Sequence, residues 1–243
     1  MTRARPIYLF TDFGWNGPYV GQMVAAVQAV DPAIPITSLM HDAPKMRPEL
    51  AAYLLRACCR TLPRGAVVVA VVDPGVGGER AALVVETASQ TFVGPDNGLL
   101  SQLASIERVD EIDWRPEQLS TSFHGRDLFA PAAARLAIEE NLDTSVRPHE
   151  TMVGFDWPYN RPEVVYIDDF GNLMIGVEVE KVHKNSVLSV SGRDIAYAET
   201  FGRVGVGDLF WYRNSQGLVE IAANSRSAAD LLALALGDAI LIN

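Results

Sequence analysis

Along the first half of the chain, apolar stretches of strand length alternate with stretches in which apolar residues return every three or four positions. Residues 7–13, 36–40 and 66–72 read as strands, and residues 19–30 and 49–59 as helices. This rhythm, sustained to about Asn141, predicts an α/β domain on a mostly parallel sheet. Residues 66–72 are apolar at every position, the pattern of a central strand covered by helices on both faces, so the expected architecture is three-layered and Rossmann-like. The first strand ends around Asp12 and the central one runs into Asp73. Ligands of open α/β sheets gather at the carboxyl ends of strands, which makes these two acids the first candidates for chemistry.

Past Asn141 the pattern changes. Residues 143–162 are rich in Pro, Asp, Asn and aromatic side chains and lack periodicity, so they read as a boundary loop. Short strand-like runs follow at 164–167, 187–190, 209–212 and 218–222, separated by Gly, Asn and Ser. A helix-like stretch at 227–235 precedes a last strand at 239–242. The expected organisation is an α/β domain over 1–145, a linker over 146–162 and a small C-terminal β-barrel over 163–243.

Charge and composition narrow the function. The 243 residues are 49% hydrophobic and 21% charged, ordinary for a globular chain with a sizeable core. With 20 Lys and Arg against 30 Asp and Glu the formal charge is -10, which argues against binding a nucleic-acid backbone and favours a small cationic or neutral ligand. No apolar run reaches the roughly 18 residues of a membrane span, and the apolar stretch after the basic N-terminal residues is too short for a signal-peptide core, so a cytoplasmic protein without membrane partners is expected. Cys58 and Cys59 are adjacent in a helical pattern and suit neither a loop-closing disulfide nor a zinc site.

Five clusters place acidic, His, Arg or amide groups beside glycines: residues 11–14, 73–80, 95–98, 123–127 and 168–172. Each has a plain structural explanation. Asp96-Asn97-Gly98 is turn chemistry, Asp127 suits a helix N-terminus, Arg126 can form a local ion pair, and His149 and His183 read as surface residues. His41-Asp42, closing a strand, is open to either reading. Strand-end Asp, His and Asn also suit a two-metal phosphoesterase with Asp12, Asp73, Asn97 and His124 as ligands, but no Asp-x-His pair or Gly-Asn-His triplet is present. A nucleoside-binding protein without turnover is a third possibility. The segment Gly75-Val76-Gly77-Gly78 is neither a dinucleotide fingerprint nor a P-loop.

Taken in order, Thr11-Asp12-Phe13-Gly14, Val71-Val72-Asp73-Pro74-Gly75-Val76-Gly77 followed by Arg80, Pro95-Asp96-Asn97-Gly98-Leu99-Leu100, and Phe123-His124-Gly125-Arg126-Asp127 resemble the S-adenosylmethionine hydroxide adenosyltransferase family, water-using relatives of the fluorinases and chlorinases. Asp168-Asp169-Phe170-Gly171-Asn172, Asn214-Ser215-Gln216-Gly217 and Glu220-Ile221-Ala222 are similar to its C-terminal motifs. The resemblance implies an N-terminal α/β domain, a C-terminal barrel, and a homotrimer with sites between subunits. It implies that Asp73, Arg80 and His124 are catalytic and activate water, and that Asp12, Phe123, Gly125, Asp168, Phe170, Asn172 and Ser215 bind substrate. Asp12 would hold the ribose, Phe170 and Asn172 the adenosyl part, Asp168 the methionine ammonium, and Ser215 would lie near the adenine. Two positions depart from the family pattern at the expected methionine end: Gly17, where many relatives have Asp, and Gln216, where halogenating relatives carry Arg.

The implied reaction is hydrolysis of S-adenosylmethionine to adenosine and methionine. Its sulfonium makes C5′ electrophilic and leaves as a neutral thioether, so no leaving-group acid, metal or cofactor is implied. A positioned water in line with the C5′–S bond is what the protein must supply. Carboxylates are too weak as bases to make free hydroxide, so Asp73 is expected to orient the water, Arg80 to stabilise its anionic character, and His124 to position it or relay a proton. A carboxylate beside the nucleophile would repel a halide, which favours hydrolysis over halogenation.

Overall fold

The computed structural model describes residues 4–243, which fall into two compact units, one ending at Trp157 and one spanning Pro158–Asn243. The first contains β1 (Ile7–Thr11), α1 (Tyr19–Val30), β2 (Ile36–Met40), α2 (Pro48–Cys59), β3 (Val67–Val71), β4 (Ala82–Thr87), β5 (Thr91–Pro95), β6 (Ile106–Ile112), α3 (Ala130–Ala137) and β7 (Thr144–Val146). Its seven-stranded sheet has the order β2-β1-β3-β5-β4-β6-β7. Neighbours are parallel from β2 through β5 and antiparallel from β5 through β7, so β4 and β7 run against the other five strands. The strand–helix rhythm holds only as far as β3. Beyond it β4 and β5 form a hairpin, whose turn is held by Thr87 Oγ1 accepting the N–H groups of Ser89 (3.3 Å) and Gln90 (3.0 Å).

Alternation along the strands explains the layers. Ile7, Leu9, Val67 and Val69 pack with Met23 and Val27 of α1 and with the alanines of α3. The intervening Phe10, Val68 and Ala70 are equally buried, and α2 buries Leu50, Leu54 and Leu55 among others. Burying each large apolar side chain contributes about 1.5–3 kcal/mol, so a strand buried on both faces is worth most at the sheet centre. Residues beyond β7 still belong to this unit: the Val153 N–H donates to Asp96 Oδ1 (2.9 Å) and the Trp157 ring lies against Gly98.

The second unit contains β8 (Arg161–Ile167), β9 (Leu173–Glu178), β10 (Leu188–Val190), β11 (Arg193–Ile195), β12 (Leu209–Arg213), β13 (Leu218–Ala223), α4 (Ala228–Leu232) and β14 (Leu241–Ile242). They make two antiparallel sheets, β12-β13-β9-β8 and β11-β10-β14, with isolated bridges from Glu163 to Ala239 and from Tyr197 to Trp211. Val164, Ile175, Trp211, Val219 and Ile221 form the core. Helix α4 is shorter than the apolar spacing over 227–235 predicts. Ser227 caps its start by accepting the Asp230 N–H (3.0 Å), and it ends at Ala233 in the left-handed region (φ 53°), after which the Asp238 carboxylate takes the Ala235 N–H (2.8 Å). Among the described residues no helix is long and apolar enough to cross a membrane.

Candidate active site

The sheet order puts β1 between β2 and β3, so the chain leaves β1 to one side and returns to the other. The carboxyl ends of β1 and β3 flank this topological switch point, where open α/β sheets bind ligands. Thr11 is in register with Val71, so Asp12 follows one residue beyond that pair on β1 and Asp73 two residues beyond it on β3. Asp12 Oδ2 accepts the Met46 N–H at 3.0 Å. Burial outweighs that hydrogen bond and raises the Asp12 carboxyl above its ordinary pKa, with the Asp73 charge pushing the same way.

Asp73, Arg80 and His124 form one hydrogen-bonded network. Arg80 Nε donates to both Asp73 oxygens (3.1 and 3.0 Å), its Nη2 donates to Asp73 Oδ2 (2.5 Å), and the same Nη2 lies 2.9 Å from His124 Nδ1. The Asp73 and Arg80 side chains are only 4% and 11% exposed, so little water screens the pair. A guanidinium can only donate, so His124 Nδ1 must offer its lone pair. The ring is therefore neutral, with its proton on Nε2. Burial first, and the Arg80 charge second, hold the His124 pKa below the ordinary value.

That depression has a sign. Between the lowered pKa and the ordinary value near 6.5 the unfolded chain binds more protons than the folded one. The contribution of His124 to stability is thus complete above about pH 6.5 and is lost as the pH falls through that window. Urea titrations at about pH 7.5 and 5.5 are expected to show a fall in stability that is smaller in His124→Asn; an equal fall in both proteins contradicts the neutral tautomer.

Two glycines set the spacing. Gly77 has φ +80°, and a Cβ there would lie 2.2 Å from the Thr121 carbonyl oxygen, so the loop that delivers Arg80 can touch the loop that delivers His124 only without a side chain. Gly77→Ala is expected to reduce turnover by about 10²-fold through separation of Arg80 from His124; activity within about two-fold of the parent would show that the contact is dispensable. Gly125 begins a π-helical turn, Gly125–Phe129, leading into α3. A Cβ on it would approach Phe123 and Phe13 at 3.2 and 3.3 Å. Phe123 packs edge-on against Phe13 and Tyr19, with ring centroids 5.6 and 5.2 Å away, giving an apolar wall beside the acids.

In the second unit, Asp168, Phe170, Asn172 and Ser215 line one cavity of about 830 Å³. Asp168 Oδ1 accepts the N–H groups of Phe170 (3.0 Å) and Asn172 (2.8 Å), and its Oδ2 accepts the Asn172 side-chain amide (2.9 Å). This turn leaves Phe170 79% exposed, an uncovered ring on the cavity wall. Gln216, one of the two departures from the family pattern, also lines it and accepts a hydrogen bond from the Ser215 hydroxyl (3.0 Å). At the other departure, a Cβ on Gly17 would meet the Tyr19 ring at 3.3 Å, so an acid there requires that ring to shift. Met174, Phe201, Tyr212 and Glu220 line the same cavity, and of these only Glu220 lies in a motif visible in the sequence, where it has no assigned role. Only the alternation of β12 and β13 marks the last two as facing one side.

Other candidates are local. The Asn97 amide donates to the Val72 carbonyl and its oxygen accepts the Leu99 N–H, so its polar atoms tie the 96–98 turn to the end of β3. With Asp73 turned to Arg80 and Asn97 to the backbone, the phosphoesterase ligand set does not assemble; among the described residues no group of three His, Cys, Asp or Glu side chains is placed to hold a metal. Arg126 pairs with Asp127, which accepts the Ser120 N–H. His41 is buried against Thr11 Oγ1 (2.8 Å), His149 packs edge-on against Phe155, and His183 is exposed. Burial pushes both cysteine thiols up, that of Cys58 to about 12, which disfavours the nucleophilic thiolate.

The model of the SAM hydroxide adenosyltransferase N-terminal domain matches residues 7–145, and that of the corresponding C-terminal domain matches residues 162–241. The chain is 35% identical to an (R)-S-adenosyl-L-methionine hydrolase of Thermus thermophilus, covering 96% of this chain and 97% of that protein. It is also 35% identical to one of the same name from Salinispora arenicola, covering 94% of each. An uncharacterized conserved protein of Thermotoga maritima, known from its crystal structure, superimposes with a TM-score of 0.84 at 29% identity, over 97% of this chain and 99% of that one.

Proposed function

This chain belongs to the S-adenosylmethionine hydroxide adenosyltransferase family, and we propose that it hydrolyses (R)-S-adenosyl-L-methionine to adenosine and L-methionine. The observation that carries this reading is the buried Asp73–Arg80–His124 network at the switch point. A water oxygen bonds to C5′ as the C5′–S bond breaks; the bonding pair leaves on sulfur, the sulfonium becomes a thioether, and one proton passes to solvent. Asp73 Oδ2 accepts both Arg80 Nε and Nη2, whereas Oδ1 accepts only Nε, so Oδ1 keeps a lone pair with which the carboxylate can accept a hydrogen bond from the water and orient it. Arg80 stabilises hydroxide character as the oxygen attacks. With Nδ1 engaged by Arg80, His124 serves as a donor through Nε2–H rather than as a base.

The adenosyl and methionyl parts are assigned by resemblance: Asp12 to the ribose, Phe170 and Asn172 to the adenosyl group, Ser215 to the adenine edge, and Asp168 to the ammonium, with Phe123 and Gly125 as further substrate-binding residues. We take the two sheets of the C-terminal unit as a small barrel and the protein as a homotrimer, to be tested by its mass in solution against the 26.4 kDa chain. The reaction as written draws on no cofactor. Separate incubation with the R and S sulfonium epimers tests the proposal. Adenosine is expected at least roughly ten-fold faster from the R epimer; adenosine from neither overturns the reading, and preference for S overturns the epimer assignment.

A further inference from the structure

Glu220 is a carboxylate in the middle of a strand, 2% exposed, to which no part of the reaction gives a role. In the β12–β13 pair it lies directly opposite Tyr212, and on its other side it pairs with Met174 of β9. Directly opposed residues present their side chains on one face of a sheet, and all three line the cavity that holds Asp168 and Ser215. Both Glu220 oxygens are engaged: Oε1 accepts the Tyr212 hydroxyl (2.5 Å) and Oε2 accepts Asn214 Nδ2 (3.0 Å). Asn214 is itself buried, and its Oδ1 accepts two backbone N–H groups, from Gln216 (3.1 Å) and Leu218 (2.8 Å).

The polarity of this chain is fixed at every step. Two backbone donors require Asn214 to present its oxygen to the turn, so its amide nitrogen must face Glu220, where only an acceptor satisfies it. Burial raises the pKa of both Glu220 and the Tyr212 hydroxyl, and the hydroxyl therefore stays protonated and able to donate. The turn so held carries Ser215 and Gln216.

We infer that Glu220 is a positioning residue for substrate binding: it clamps Tyr212 and Asn214 and, through Asn214, fixes the 214–218 turn that presents Ser215 and Gln216 to the cavity. This rests on the hydrolase reading for the identity of the ligand, whereas the clamp itself does not. Glu220 touches no reacting atom, so the clamp bears on KM rather than kcat.

The test inverts the polarity of one link and then repairs it. Asn214→Asp keeps an acceptor for both backbone N–H groups but sets a second carboxylate against Glu220; adding Glu220→Gln supplies a donor in its place and restores a complete chain. Glu220→Gln alone is mild, because the Tyr212 hydroxyl can accept from the new amide while the amide oxygen takes Asn214 Nδ2. Assays at about pH 8.5 rather than at neutral pH disfavour a proton shared between the two acids of Asn214→Asp. Asn214→Asp is expected to raise KM for (R)-S-adenosyl-L-methionine roughly ten-fold with kcat within about two-fold, and the double variant to return KM to within about three-fold of the parent. Amide exchange at Gln216 and Leu218, read without substrate, is expected to quicken in the single variant and recover in the double. An unchanged KM and exchange rate in Asn214→Asp, or a defect that Glu220→Gln fails to repair, overturns the inference. A purely structural Glu220 would lower the melting temperature and leave KM alone. Absence of turnover by the parent protein would count against the hydrolase reading, and the exchange measurement would still decide the clamp.

Discussion

Asp73→Ala is expected to lower turnover by about 10³-fold while leaving substrate affinity within about three-fold, because it removes the acceptor that orients the attacking water and nothing that holds the adenosyl group. The change also strips Arg80 of its three contacts to the carboxylate, leaving a guanidinium 11% exposed with only His124 as its partner in the network. An uncompensated charge at that depth destabilises by about 3–5 kcal/mol, so lost activity has to be separated from lost fold. Asp73→Asn makes that separation. It keeps the shape and one uncharged acceptor for Arg80, so it is expected to destabilise less than Asp73→Ala, and its rate referred to the folded fraction is still expected to fall about 10²-fold or more. Single-turnover rates and calorimetric titration of both variants check the pair of expectations; turnover within ten-fold of the parent in Asp73→Ala would remove Asp73 from the mechanism.

Arg80→Lys is expected to be nearly as damaging, by about 10²-fold in kcat, although the charge is retained. Arg80 reaches the carboxylate through Nε and Nη2 and also meets His124 Nδ1 through Nη2. A single ammonium on a flexible stem cannot hold both partners in that planar arrangement. Because the three residues act on one water, Asp73→Asn combined with Arg80→Lys is expected to cost little more than either change alone. Costs that multiply would show that the residues work independently.

What could be read in the sequence follows from the range over which its signals act. Strand and helix periods from β1 to β3 are local, and the apolar run that becomes β3 is legible from seven consecutive residues, 66–72. The β4–β5 reversal was not, because its turn, Ala88-Ser89-Gln90, contains no Gly or Pro and depends on the Thr87 hydroxyl. The two acids at the switch point were visible as strand-end residues. That Arg80 closes on Asp73 and then on His124, 44 positions further along, is a tertiary fact that periodicity does not encode and that only the family resemblance supplied. Glu220 shows the opposite failure. It lies in a motif visible in the sequence, but its partners Tyr212 and Asn214 become neighbours only when β12 and β13 pair.

The central claim, attack of water on C5′ by a site built from Asp73, Arg80 and His124, is tested most directly by isotope. Chelator-treated protein is incubated with the R epimer of S-adenosyl-L-methionine in ¹⁸O-water, and the products are weighed by mass spectrometry. Adenosine carrying one ¹⁸O at its 5′ position beside unlabelled methionine, formed by the parent about 10²-fold or more faster than by Asp73→Asn, is the expected result. Unlabelled adenosine, label on the amino-acid fragment, or labelled adenosine formed equally fast by Asp73→Asn would contradict it.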